Sequence, residues 1–419
     1  MDILFLGGLF PKDEEKLIYN KSKGVIQFAA NILQWNIVNG LEKCLDKPIK
    51  LVNSIFVGSY PKYFKEIFVM SRSWKHRNDL NHFDINVGFL NLFGIKQIWR
   101  GFSVSKYCKL WAKEVATREK VIIIYSMNTP FIYAAMKAKK ANPNIHICLI
   151  CPDLPEFMNT GKKRGFLFEL LKSADRYIMN MLLEYVDSFV FLTKFMIERV
   201  DVRNRPWTVL EGIVNTDQLE GHFDLKKEPN QNKYKRILYT GTLNKAYGIM
   251  DLLDAFQMLE DDSLQLWICG AGEAQIEVEN LANTDKRVIY YGQVSHNEAV
   301  KLQHEADLLI NPRNNEGEYT KFSFPSKILE YMLSGTPALI YKLPGIPDEY
   351  YDYLFTVDGK GAEAIASSIK HIFSQPYRNL TELGKRSREF VISQKNPSKQ
   401  TWGILDMIKN INKKDKKEI

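Results

Sequence analysis

Short, continuously apolar runs alternate with amphipathic stretches along almost the whole chain. The runs are DILFLGG (2–8), VIIIYS (121–126), IHICLIC (145–151) and SFVFLT (188–193), followed by RILYTG (236–241), LQLWICG (264–270), RVIYYG (287–292), ADLLINP (306–312) and PALIYK (337–342). Runs this uniformly apolar suit strands covered on both faces, as in a parallel sheet between layers of helices. The stretches between them, such as GIMDLLDAFQMLE and HNEAVKLQHEA, carry the apolar spacing of crossover helices. The pattern predicts an α/β chain.

The alternation lapses over 216–234, where the chain is polar and helix-poor. That gap reads as a linker between two doubly wound domains, 1–215 and 235–390, with 391–419 a C-terminal helix that can cross back to the first. Each half opens on a strand, a glycine, a polar loop and a helix: LGGLFPKDEE and YTGTLNKAYG. Two such halves facing one another place a cleft at the carboxyl ends of their strands, where open α/β sheets bind ligands. The length of 419 residues fits two domains of roughly 150–200 residues each.

Composition adds limits. With 45% hydrophobic and 25% charged residues the chain is of ordinary globular type. No apolar run approaches the roughly 20 residues of a membrane span, and MDILFLGGLF reads as a first strand, not a leader. Five cysteines (44, 108, 148, 151 and 269) point to a reducing, cytoplasmic setting. Cys148 and Cys151 form a CxxC, but on a strand their thiols point to opposite faces. The histidines have no ligand spacing, so no metal is expected. The formal charge of +8 suits phosphorylated ligands or an anionic membrane surface. No recognisable module organises it for nucleic acid. Two stretches, 94–114 and 161–186, mix basic and aromatic residues. Each fits a helix lying peripherally on an anionic membrane, or an amphipathic helix packed on its own sheet.

The most specific local chemistry is in FSFPSKILEYMLSGTP (322–337). Pro325 suits a first helical turn, Ser323 or Ser326 can cap free amides, and Gly335 is a stop. Ile328, Leu329, Met332 and Leu333 form a buried stripe, while Lys327 and Glu330, three apart, share another face. Free amides and the positive end of the helix dipole offer a seat for a diphosphate. Taken alone, Lys327 and Glu330 read first as a surface ion pair.

The ordered set YTGTLNKAYGIMDLLDAF, LWICGAGE, YYGQV, ADLLINPR and FSFPSKILEYMLSGTPALI resembles the donor domain of retaining GT-B glycosyltransferases of family 4, or group 1. In the first half, SKGVIQFAANILQWNIVNGL, FVFLTKFMIERV and TVLEGIVNTDQLEG look like parts of the acceptor domain of the same family. The resemblance implies a GT-B architecture of two Rossmann-like domains. It also implies retaining transfer of a hexose from a nucleotide sugar, UDP-linked, to a lipid-linked or oligosaccharide acceptor in surface polysaccharide assembly, without a metal or other cofactor. Gly241, Thr242, Leu243, Asn244 and Lys245 then meet the diphosphate, together with Ser323, Ser326 and Lys327, and Arg313 is a further cation. Gly292, Gln293 and Val294 read the base, and Glu330 accepts from the ribose diol. Lys245 and Lys327 stabilise the leaving group. On the acceptor side stand Gly7, Gly8, Asn128 and the carboxylate of Asp153, which is also a plausible turn cap.

The chain departs from the family pattern at three places. Phe322 stands where the first of two glutamates belongs, with Glu316 and Glu318 just upstream as substitutes. Thr242 replaces an arginine, and Tyr247-Gly248 replaces a Lys-Gly pair, with Lys245 two positions early. These changes keep open a catalytically silent GT-B subunit that binds nucleotide or a partner glycosyltransferase, and more remotely a sugar-nucleotide epimerase.

Overall fold

The computed structural model describes residues 1–23, 26–115, 119–156, 166–214 and 234–415. Nearly all of the expected linker 216–234 lies outside that set, as do the start of the basic stretch 161–186 and the last four residues. The chain divides into two compact units, one of residues 1–213 with 397–419, the other of 214–396.

The first unit is built on strands β1 (Asp2–Gly7), β2 (Lys50–Asn53), β3 (Phe68–Val69), β4 (Arg72–Trp74), β5 (Asp84–Asn86), β6 (Phe89–Leu90), β7 (Lys120–Tyr125), β8 (His146–Cys151), β9 (Ser188–Phe191) and β10 (Trp207–Val209). Eight of them form one sheet in the order β10-β9-β8-β7-β1-β2-β5-β4, and β3 pairs with β6 separately. Every neighbour in the large sheet is parallel except β4, which runs against β5. Its helices are α1 (Glu15–Lys21), α2 (Phe28–Leu45), α3 (Ile95–Lys113), α4 (Thr129–Ala141) and α5 (Phe166–Leu182).

The second unit alternates strand and helix as far as its fifth strand, and its last two helices follow the sixth. Strands β11 (Lys235–Thr240), β12 (Leu264–Cys269), β13 (Val288–Gly292), β14 (Leu308–Asn311), β15 (Ala338–Ile340) and β16 (Phe355–Thr356) are interleaved with α6 (Ile249–Gln257), α7 (Gln275–Thr284), α8 (His296–Glu305), α9 (Ser326–Ser334), α10 (Gly361–Ser374) and α11 (Tyr377–Gln394). The sheet order is β13-β12-β11-β14-β15-β16, parallel throughout. The order reverses on either side of β11, which makes the end of β11 and its neighbour β14 the topological switch point.

All nine apolar runs form strands. The continuous burial of β7 and β8, six buried residues in each, is the reason the signal was so clear. The boundaries need two corrections. The first unit ends at 213 and not 215, and α11 continues to Gln394 within the second unit, so the return to the first unit begins at 397 and not 391. A last helix, α12 (Pro397–Asp415), lies on α2. There Cys44 Sγ donates to the Ser398 carbonyl at 3.2 Å, and Ile404, Leu405 and Ile408 are buried among Ile37, Val38 and Leu41. Each of those aliphatic side chains stabilises by roughly 1.5–3 kcal/mol.

A buried ionic triad joins α2 to the sheet edge. The His76 ring donates from Nε2 to Glu42 Oε1 at 2.9 Å and from Nδ1 to Asp84 Oδ2 at 2.7 Å, with its side chain only 2% exposed. Burial opposes a charge on His76, but the hydrogen bonds to Asp84 and Glu42 outweigh it and raise the imidazolium to about 9. Burial likewise opposes ionised Glu42, yet His76, the Ile49 amide and Arg77 hold its carboxyl below the ordinary range.

A group raised in the folded state stabilises fully below its unfolded value and loses that contribution as pH climbs through its folded value. The first unit should therefore lose a few kcal/mol of unfolding free energy between about pH 6.5 and 9, since a ten-fold change in proton affinity corresponds to about 1.4 kcal/mol. Urea unfolding across that window checks this, and His76→Gln should start lower and show a flatter profile.

Candidate active site

Three loops meet at the carboxyl edge of the second sheet. The first follows β11 and runs through Gly241, Thr242, Leu243 and Asn244 into a single 3-10 turn, Lys245–Tyr247. The second is Gly270–Glu273 after β12, and the third is Pro312 and Arg313 after β14. Backbone bonds stitch the first two together: Leu243 N–H donates to Ala271 at 3.0 Å, and Ala274 N–H donates to Leu243 at 2.9 Å. Glycines permit the approach. Gly270 sits at φ +140°, and a Cβ there would come within 1.8 Å of the Gly241 carbonyl oxygen. Gly248, at φ +76°, would place a Cβ 2.1 Å from the Pro312 carbonyl oxygen. No other residue type tolerates both the dihedral and the contact.

Side-chain hydroxyls lock the same edge. Buried Tyr331, on α9, accepts from the Thr240 amide at 3.0 Å and lies 3.2 Å from the Thr240 carbonyl. Gln303 donates to Thr240 Oγ1 at 3.4 Å, and Thr336 donates to the Gln303 carbonyl at 2.7 Å. Tyr239 donates to the Thr242 carbonyl at 2.8 Å, and Tyr290 to the Gly270 carbonyl at 2.7 Å. Sequence reading missed these tyrosines, because an aromatic on an apolar strand or helix looks like core until its hydroxyl partner is known.

Helix α9 begins differently from expectation. Pro325 is its flanking residue, not part of the first turn, and no side chain caps the amides. Ser323 is occupied elsewhere: it donates to the Tyr319 carbonyl at 3.0 Å and accepts from Arg313 at 3.0 Å. Ser326 opens the helix without a capping bond, so the positive end is left for another acceptor. Ile328, Leu329 and Met332 are buried as expected, but Tyr331 joins them, while Leu333 is only half-buried.

Lys327 and Glu330 approach to 3.4 Å and are both partly exposed. Burial pulls Lys327 down, but Glu330 and Tyr331 outweigh it and hold the ammonium above its usual range. Arg313 reaches the first loop from β14: its guanidinium lies 5.3 Å from the Tyr247 ring and 4.7 Å from the Tyr319 ring, and its Nε is buried without a partner. Lys245 instead turns aside. Its amide donates to Glu273 at 2.8 Å, its ammonium pairs with Glu277 on α7, and that pairing raises it. Asn244 uses its side chain to accept from the Ala246 amide at 2.9 Å. At the end of β13, the Gly292 carbonyl is taken by the Gly270 amide at 2.8 Å, Gln293 is exposed and Val294 is packed on the core.

Phe322 is buried, 3% exposed, so its position presents no group to solvent. Glu316 is exposed and pairs with Lys360 at 3.3 Å, and Glu318 is exposed.

In the first unit, Gly7 and Gly8 are buried and their polar groups are taken. Gly8 N–H donates to Gln34 at 2.8 Å, and the two carbonyls accept from Ser54 at 2.9 Å and Phe56 at 3.0 Å. They shape the strand edge and do not offer groups to a ligand. Asn128 does offer one, because its Oδ1 and the adjacent Thr129 Oγ1 are buried with no partner. Such atoms are rare and call for an occupant. Asp153 is exposed at the surface, yet surrounding protein raises its carboxyl above the ordinary range.

Residues 222–411 match the family described as glycosyl transferases group 1. The chain carries a group 1 glycosyltransferase domain. The whole chain resembles solved structures of GT-B glycosyltransferases with two Rossmann-like domains. Sucrose-phosphate synthase from Thermosynechococcus elongatus shares 14% identity over 98% of this chain and 99% of its own, with a TM-score of 0.62. The lipopolysaccharide outer core galactosyltransferase WaaB, in its apo form, shares 16% over 98% and 99%, with a TM-score of 0.60. Anabaena HepE in complex with UDP shares 12% over 98% and 100%, with a TM-score of 0.59. No curated protein matches by sequence.

The loop geometry makes a graded prediction. Gly292→Ala, where an added Cβ meets nothing within 4 Å, should cost only the left-handed dihedral, about 1–2 kcal/mol. Gly270→Ala should cost several kcal/mol more or prevent folding of the second unit. Thermal unfolding of the two variants side by side checks the order.

Proposed function

We infer that this glycosyltransferase moves a hexose from a nucleotide sugar, with UDP-linked donors first, to a lipid-linked or oligosaccharide acceptor, and that the anomeric configuration is retained. The observation that carries the donor side is the uncapped start of α9 carrying Lys327 and Glu330, tied by Tyr331 to the end of β11. The UDP in the HepE structure makes uridine nucleotides the first to test.

Several groups in the second unit support the reading. The α9 amides and Lys327 offset the charge of a departing diphosphate, which is the dominant requirement of such a transfer. Arg313 supplies a second cation where Thr242 lacks one. Glu330 accepts from the ribose diol once Lys327 turns toward phosphate. Lys245 joins only by releasing Glu277, so it is the weaker partner of the two lysines. For the acceptor, Asn128 Oδ1 and Thr129 Oγ1 are ready hydrogen-bond partners for sugar hydroxyls, and Asp153 stands as a carboxyl of raised affinity for its proton.

The buried Phe322 favours a second reading, a subunit that binds nucleotide without turning it over. Donor-consumption assays with UDP-hexoses separate the two, since nucleotide binding without turnover supports the silent subunit. In the active enzyme, Lys327→Ala should lower turnover at saturating donor roughly a hundred-fold. Glu330→Gln should act mainly on donor KM, raising it about ten-fold. Full turnover by Lys327→Ala would remove this assignment.

A further inference from the structure

The N-terminal half of helix α3 is inside out. There the buried stripe holds Lys96 and Arg100, while Ile95, Ile98, Trp99 and Phe102 face solvent, with Ile98 and Phe102 each 63% exposed; further along, Val104, Cys108 and Trp111 are buried in the ordinary way. The inversion has a cause. Arg100 donates from Nε to Ser54 Oγ at 3.0 Å and from Nη2 to the Ile55 carbonyl at 2.8 Å, with its guanidinium 4.3 Å from the Phe89 ring, and Lys96 donates to the Val57 carbonyl at 2.8 Å. Both cations are thus consumed in holding the segment that leaves β2, and neither has a carboxylate partner among the described residues. Burying them costs free energy that an ordinary amphipathic helix avoids by turning its aromatics inward.

The exposed residues lie at the i, i+3, i+4, i+7 spacing of a single stripe, and Phe93, just ahead of the helix, is exposed too. The same stripe continues with Lys106, Lys109 and Lys113, all exposed and none paired with a carboxylate among the described residues. Neither α3 nor its neighbour α4 contains an acidic residue, and α4 adds Lys137, Lys139 and Lys140, of which Lys139 is paired with Asp187. An apolar, aromatic end beside a cationic end, whose one flanking carboxylate, Glu114, is paired with Lys50 at 3.0 Å, matches one partner: the interface of an anionic bilayer, where aromatics enter the headgroup region and lysines meet lipid phosphates.

We propose that the outer stripe of α3 docks this protein peripherally on an anionic lipid surface. Among the described residues no helix is long and apolar enough to cross a membrane, so the contact is one of lying on the surface. Helix α5 also exposes apolar residues, including Tyr177 and Ile178, but carries Glu169 and Asp175 among its cations and lacks the charge match. Because Lys96 and Arg100 bind the segment beside Gly8, the docking helix and the acceptor-side strand edge form one piece. The inference rests on the surface of the first unit alone and survives failure of the donor assignment.

Co-sedimentation of the full chain with phosphatidylglycerol–phosphatidylcholine vesicles, and with pure phosphatidylcholine vesicles, tests this at low and high salt. The expected result is binding to the anionic vesicles that weakens in high salt and falls away on the neutral ones. Replacing Ile98, Trp99 and Phe102 by Ser should cut the bound fraction roughly ten-fold, as should Lys106→Glu with Lys109→Glu, while thermal unfolding is unchanged. The proposal is overturned if the wild type binds neither vesicle, or if the α3 variants bind as well as wild type. It is also overturned if Tyr177→Ser with Ile178→Ser abolishes binding in their place, or if the α3 variants dissolve a dimer seen without lipid.

Discussion

The carboxyl edge of the second sheet depends on backbone approaching backbone more closely than any side chain permits. Gly270 lies against the Gly241 carbonyl and Gly248 against the Pro312 carbonyl, so the loops after β11, β12 and β14 behave as one surface. Two main-chain bonds between Leu243 and the 271–274 segment close it further. Once those loops are fixed, the polar groups at their tips are fixed too, which is the preorganisation that charge stabilisation needs.

Helix α9 is registered to that surface by one hydroxyl. Tyr331 spans from the helix to the last residue of β11, and Thr240 passes the link on through Gln303 to Thr336. The helix start, Lys327 and Glu330 therefore hold their place relative to the first loop, and Arg313 is braced from the side by two tyrosine rings. The first unit achieves its order by other means. There, side-chain amides and buried ions do the positioning: Gln34 on the Gly8 amide, His76 between Glu42 and Asp84, Arg100 on the segment after β2.

Sequence legibility followed burial. Strands covered on both faces, such as β7, β8 and β12, announced themselves as apolar runs. Short strands with mixed burial, such as β4, β5 and β10, left no periodic signal, since two or three residues cannot show a period. On α9, the pairing of Lys327 with Glu330 could be read because their spacing sits on a recognisable helix. The roles of Tyr331, Tyr239 and Tyr290 could not, because each depends on a hydroxyl partner that the sequence does not reveal. Ser323 was misread as a cap for the same reason: Arg313, ten residues upstream, takes its hydroxyl. Gly7 and Gly8 looked available because a sequence does not reveal that Gln34, Ser54 and Phe56 satisfy their backbone.

Residues 222–411 match the group 1 glycosyl transferases, and the proposed account of the chemistry stands on α9. A crystal structure with an intact UDP-sugar bound to the second unit tests it most directly. The account predicts the diphosphate against the first-turn amides of α9 and Lys327, with the ribose hydroxyls on Glu330. A diphosphate seated away from α9, with Lys327 and Glu330 still paired to each other, would contradict it.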